Sequence, residues 1–234
     1  MTETVDLLEL ASTAVAASIS AGTIIRQYAK QFDEQIYQCS IDKNQNNRFD
    51  VKFMGSTRAK ADGTLVTDAD SAAQFIIVGA LRQISKSIRI VSEEDRESSG
   101  RYQGFSQSSL ANISQKVYHT IDSTRREAND AQYNNEEILV EPSRISVFVD
   151  PLDGTNQYAK GNYGSVSTLV GIVVDNVPIF GVICKPFGQK SSIFTGGNRN
   201  SDEVFTLYGG ILTKGVHVYG HEEKVSESIS HFLK

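Results

Sequence analysis

Apolar residues recur every three or four positions in Leu7, Leu10, Ala14, Ala17, Ala21, Ile24 and Tyr28, which predicts an amphipathic helix from about Thr4 to about Lys30. Its polar face is not especially basic, so the stripe reads as core packing rather than a membrane-surface helix. Residues 31–59 are polar and mixed and read as loop, with a short strand within 54–58. A second helical stripe runs through Ala73, Ile76, Ile77, Ala80 and Ile84, with Thr67 or Asp68 as its N-cap and Asp70 in its first turn. Arg89-Ile-Val-Ser reads as a strand ending at Glu93-Glu94-Asp95. Residues 95–145 read as an excursion holding one helix, marked by Leu110, Ile113, Val117 and Ile121; Asp122 to Ser143 reads as loop. Val147, Phe148 and Val149 predict a buried strand that stops at Asp150, because Pro151 cannot continue a ladder. Ser165 to Val174 and Val177 to Cys184 alternate as strands joined by Asp175-Asn176, a two-residue hairpin signal. Shorter strands are expected at Ser192–Thr195, Val204–Leu207 and Val216–Tyr219, and a short helix at Val225–Phe232. Helices alternating with strands predict an α/β chain, without internal repeats or low-complexity tracts.

Composition narrows the function classes. The 234 residues are 39% hydrophobic and 22% charged, as in globular proteins, and the net charge of −5 argues against a nucleic-acid-binding surface. An acidic chain that handles phosphates needs cations to offset its own field. Its two cysteines, Cys39 and Cys184, lie far apart and predict reduced thiols in a cytoplasmic compartment. The acidic N-terminus has no basic n-region, and no uninterrupted apolar run approaches 18 residues, so neither a signal peptide nor a membrane span is expected.

The candidate chemistry lies where strands end in acids. Asp150 closes one strand and Asp153 follows on the turn, in Asp150-Pro-Leu-Asp153-Gly-Thr155. Two carboxylates held that close need a proton or a cation between them. With the Leu152 carbonyl they make an oxygen set suited to a hard cation, Mg²⁺ above all. Gly154 allows close backbone approach and Thr155 adds a hydroxyl; a helix turn starting there favours an anion such as phosphate. Asp70 and Glu93 supply further carboxylates from separate segments. Phosphate-ester hydrolysis asks for such a set: charge neutralisation, two ions roughly 3.5–4 Å apart in many enzymes, and a group that orients water. Taken alone each member has a plainer reading. Asp-Pro turns, helix-dipole partners and acidic turns account for Asp150, Asp70 and Glu93 one at a time. Asp62 and Asp68 read as capping or loop acids and Lys60 as a surface lysine. His119, His217, His221 and His231 have no zinc-ligand spacing.

Together, Lys60-x-Asp62-x-Thr-x-Val-Thr67-x-x-Asp70, Ser92-Glu93-Glu94-Asp95 and Asp150-Pro-Leu-Asp153-Gly-Thr155 resemble the Mg²⁺-dependent, lithium-sensitive phosphatases of the inositol monophosphatase superfamily. Within it the chain is most similar to the 3'(2'),5'-bisphosphate nucleotidases, through the form of the first motif, the Ala-Ala-Gln after it, and the long helical excursion. The resemblance implies a layered αβαβα sandwich. It implies Asp70 and Thr155 as the residues that activate water, and Glu93, Asp150, Asp153 and the Leu152 carbonyl as Mg²⁺ ligands. Gly154 and Thr155 would bind the substrate phosphate. The implied partner is a small phosphate ester, adenosine 3',5'-bisphosphate (PAP), its sulfated relative or an inositol phosphate, and the implied setting is sulfur metabolism.

The resemblance covers roughly residues 4–220, as a phosphatase N-terminal domain, with 221–234 as the start of a C-terminal domain otherwise missing. That domain carries a Trp-Asp motif in the family, and this chain has no Trp. Leu65 stands where the family usually has Pro, and Ser92 where it usually has Gly or Ala. Three functions follow: a PAP phosphatase yielding AMP and phosphate, a catalytically inactive binding or regulatory chain, and an inositol-phosphate phosphatase.

Overall fold

The computed structural model describes residues 3–42, 58–59, 65–93, 106–127, 138–188 and 204–219. After a two-residue strand β1 (Val5–Asp6), helix α1 (Leu7–Asp42) runs twelve residues past the expected Lys30, into what read as loop. The predicted start also shifts: the Asp6 carboxylate accepts from the N–H groups of Leu8 (2.7 Å) and Glu9 (3.3 Å), capping the helix later than Thr4. Burial is not confined to one stripe. Ser12, Thr13, Val15 and Ala16 are buried as well as Leu10, Ala14 and Ala17, because two later helices both pack on this one. Two buried hydroxyls of α1 find partners: Ser18 Oγ donates to the Ala14 carbonyl (2.8 Å), and Ser12 Oγ lies 3.1 Å from Ser114 Oγ on a third helix. The stretch Leu7–Gln31 is, against expectation, apolar and long enough to cross a bilayer by length and composition; 83% of its most apolar window is buried in the protein, as in a core helix.

Strands β2 (Arg58–Ala59) and β3 (Leu65–Val66) form a small antiparallel pair ahead of α2 (Asp68–Ile84). Strand β4 (Arg89–Ser92) leads to α3 (Gln107–Glu127), which extends past the expected loop boundary at Asp122. Strand β5 (Leu139–Val140) pairs with β1, and β6 (Ile145–Asp153) re-enters beside β4. A one-turn helix α4 (Thr155–Tyr158), the hairpin β7 (Ser167–Val174) and β8 (Val177–Lys185), and strands β9 (Phe205–Gly210) and β10 (Gly215–Val218) complete the described chain. Asp175 (φ 49°) and Asn176 (φ 67°) both take the left-handed conformation that a tight two-residue hairpin needs. Lys60, Asp62, Glu94, Asp95, the expected strand at 192–195, the helix at 225–232 and the proposed unit 221–234 lie outside the described residues.

The six-stranded sheet has the order β10-β9-β8-β7-β6-β4, and β4–β6 is its one parallel pairing. Helices α1 and α2 pack on one face, meeting Val147, Val149, Val170, Ile172, Phe180 and Val182, with α3 outside α1. This is a mixed, layered α/β fold. Strand β6 is buried on that face alone: Phe148, expected inside, is 48% exposed on the other.

Candidate active site

The site forms where β4 and β6 end beside the start of α2. Parallel pairing puts Ser92 opposite Val149, so Glu93 and Asp150 emerge next to each other. β6 does not stop at Asp150 as expected. Asp150 pairs with Leu169 and Asp153 with Ser167, so three steps on β6 match two on β7. Pro151, which lacks an N–H, occupies this bulge, and its carbonyl accepts from Thr168 Oγ1 at 2.9 Å. In a regular strand, residues three apart face opposite ways. The extra residue returns Asp153 to the side of Asp150, where its Oδ2 accepts from Ser167 Oγ at 3.0 Å.

Asp70 reaches the site through a capping box. Thr67 is the N-cap; its N–H donates to Asp70 Oδ2 at 2.9 Å, its hydroxyl donates to the same oxygen, and Asp70 N–H returns to Thr67 Oγ1 at 3.4 Å. The remaining oxygen, Oδ1, accepts from Thr155 Oγ1 at 2.8 Å. Asp70 is 1% exposed, and Thr67 and Thr155 both donate to its carboxylate. Thr155 Oγ1 also lies 2.9 Å from the Leu152 carbonyl, so its single proton is shared between the carboxylate and the carbonyl. Behind the turn, Tyr158 OH donates to the Ile25 carbonyl at 3.1 Å, fastening α4 to α1.

Gly154 sits at φ +86°, and a Cβ there would lie 2.9 Å from the Ser165 carbonyl oxygen. Within the protein, the crowding that glycine relieves is with the Ser165 carbonyl, inside the turn.

The electrostatics single out Asp150. Burial, and then the Glu93 carboxylate beside it, push its carboxyl up to about 7. Its Oδ1 is buried without a hydrogen-bond partner. Among the described residues, no group of three or more His, Cys, Asp or Glu side chains is drawn together as a metal cluster. The structure brings Glu93 and Asp153 close enough to Asp150 to act on its charge, joins Asp70 to Thr155 and the Leu152 carbonyl, and holds Asp153 by Ser167. A carboxylate with one orphaned buried oxygen, beside a second carboxylate, fits a hard cation, since a cation removes the repulsion and takes up the unused lone pair. Sequence reasoning missed Ser167 and Thr168, whose places depend on hairpin register, and the link between Gln74 and Ser92, whose Oγ donates to Gln74 Oε1. The Thr67-x-x-Asp70 spacing was the one readable signal among these supports.

A layered sheet that ends in paired carboxylates, with an Asp–Thr pair at a helix start, defines a class, and comparison with known proteins gives it a name. The chain belongs to the inositol monophosphatase family, whose model matches residues 6–230. It is 28% identical over 246 residues to 3'(2'),5'-bisphosphate nucleotidase 1 of Dictyostelium discoideum, covering 99% of this chain and 66% of that protein. The human protein of the same name is 26% identical over 183 residues, covering 77% of this chain and 48% of its own length. Inositol monophosphatase 3 of Danio rerio is 25% identical, covering 79% and 44%. The chain therefore spans between about half and two thirds of the length of such relatives. Among solved structures, extragenic suppressor protein suhB from Bartonella henselae superposes with a TM-score of 0.50 at 15% identity, covering 89% of this chain and 51% of that one, a likeness of fold.

Proposed function

We propose that this chain carries the water-activating and metal-binding half of a Mg²⁺-dependent phosphatase acting on a small phosphate monoester, with the 3'-phosphate of PAP as the preferred substrate. The Asp70–Thr155 hydrogen bond is the observation that carries this reading: it joins a buried carboxylate to a hydroxyl at the rim of a carboxylate pair.

Glu93, Asp150, Asp153 and the Leu152 carbonyl would hold the cation. A Mg²⁺ held there would supply Lewis-acid charge that offsets the negative charge of the phosphate. Thr155 Oγ1 accepts a hydrogen bond from the attacking water while its own proton points to Asp70 Oδ1. As the water oxygen attacks phosphorus and the ester P–O bond breaks, the water proton passes to Thr155 and the Thr155 proton to Asp70. The departing ribose oxygen takes a proton from solvent. Gly154 and Thr155 N–H groups, at the start of α4, hold phosphate oxygens. The substrate preference rests on the motif forms and on the nucleotidase names of the relatives.

A second reading is a chain that binds a cation and turns over nothing alone. Among the described residues no three acidic side chains converge as they would around a cation, and that favours it.

Phosphate release from PAP and from inositol 1-phosphate, with Mg²⁺ and with Mg²⁺ plus Li⁺, separates these. Mg²⁺-dependent release from PAP, suppressed by Li⁺, is expected. Equal or faster release from the inositol ester overturns the nucleotidase preference, and no release from a cooperatively folded chain favours the second reading.

A further inference from the structure

Gln74 stands one turn of α2 beyond Asp70 and is 4% exposed, among the buried apolar residues Ala72, Ala73, Ile76 and Ile77. A buried amide is costly unless it is hydrogen-bonded, so a glutamine in this company needs a reason beyond packing. Its Oε1 accepts a hydrogen bond from Ser92 Oγ. Ser92 is the last residue of β4, and the next N–H, that of Glu93, donates to the Val149 carbonyl at 3.1 Å. Glu93 thus leaves the sheet from a point pinned twice. β6 holds its own N–H, and α2 holds the residue before it. The same helix carries Asp70, and the same strand carries Asp150 and Asp153.

From this arrangement we propose that Gln74 is a positioning residue: acting through Ser92, it fixes where the Glu93 carboxylate stands relative to Asp70 and Asp150, and thereby sets the affinity of the carboxylate pair for a divalent cation. The proposal rests on the metal-site reading given above. It also gives the serine at position 92 a task that glycine or alanine cannot perform, since neither has a hydroxyl to donate. Carboxylates that ligate cations are held by such outer hydrogen bonds, and loss of one weakens binding by roughly 10–100-fold.

The test is a Mg²⁺ titration of the full chain followed by thermal melting, for the wild type, Ser92→Ala, Gln74→Met and the double variant. Each single variant is expected to raise the Mg²⁺ concentration for half-maximal stabilisation by roughly tenfold, and the double variant no further, because both changes cut one link. If Gln74→Met does not fold, Ser92→Ala alone decides, since it removes one half-exposed hydroxyl. A wild type that responds to Mg²⁺ with unchanged midpoints in the variants overturns the link and leaves the metal site standing, even if the metal-free melting temperature drops. Losses that add in the double variant overturn it too. A wild type with no Mg²⁺ response overturns the metal site and this proposal with it.

Discussion

Thr155 Oγ1 lies 2.8 Å from Asp70 Oδ1, although 85 residues separate the two in sequence. The bond ties the first turn of α2 to the turn that follows β6. Thr155→Val keeps the side chain's shape and removes the proton path. Phosphate release is expected to fall by roughly 10²–10⁴-fold, the range for loss of a positioned proton-transfer group, while the melting temperature changes little. A steady-state assay paired with a thermal melt checks this; an active Thr155→Val sinks the role given to Thr155.

The charge on Asp150 is disfavoured first by burial and then by the Glu93 carboxylate beside it. Replacing it with Asn removes one of two facing charges and keeps the shape. Without metal, at about pH 8, Asp150→Asn is expected to melt higher than the wild type, by roughly 2–4 °C per kcal/mol of repulsion relieved. With Mg²⁺ the order should reverse, because the wild type gains stability from a ligand that the variant no longer holds. Differential scanning calorimetry in chelator and in Mg²⁺ reads both.

The direction of the Asp150 shift fixes a pH dependence. Its carboxyl is raised from 3.8 to about 7 in the folded chain, so folding favours the protonated form. Its contribution to stability is full below the unfolded value and is lost as pH rises toward about 7. Where the carboxylate pair holds Mg²⁺ as proposed, protons compete with it for the same oxygens. The Mg²⁺ concentration for half-maximal stabilisation should fall between about pH 6 and pH 8, and this trend should flatten in Asp150→Asn.

Gly154→Ala places a Cβ against the Ser165 carbonyl oxygen, 2.9 Å away, on a backbone at φ +86°. A loss of about 1–3 kcal/mol is expected from left-handed strain and the contact together. Urea unfolding measures it. Full stability in this variant would mean that the turn relaxes more easily than its hydrogen bonds suggest.

Much of this architecture was legible in the chain. Three-and-four spacing located α1, α2 and α3, and the hairpin followed from Asp175-Asn176, whose residues tolerate positive φ. The clustering of Glu93 with Asp150 followed from two strands that each end in an acid. What was not legible depended on tertiary context. The composition after Lys30 looked like loop, yet α1 continues to Asp42, since a helix already nucleated and packed extends at little cost. Phe148 read as core because period alone does not say whether one face of a strand or both are covered. The grip of Ser167 on Asp153 depends on a bulge, which no local pattern announces.

That bulge has a consequence for how the stretch can vary. Asp150 and Asp153 share a face through a count of residues, not through the identity of what lies between them. Leu152 could give way to another apolar side chain of similar volume with modest effect. A single-residue insertion between the two acids, with no second bulge to absorb it, would turn one carboxylate to the far side of the sheet, however conservative the remaining letters. Sequence drift here is therefore freer in substitution than in length, and an added residue in this stretch would mark a chain whose two aspartates survive but no longer share a face.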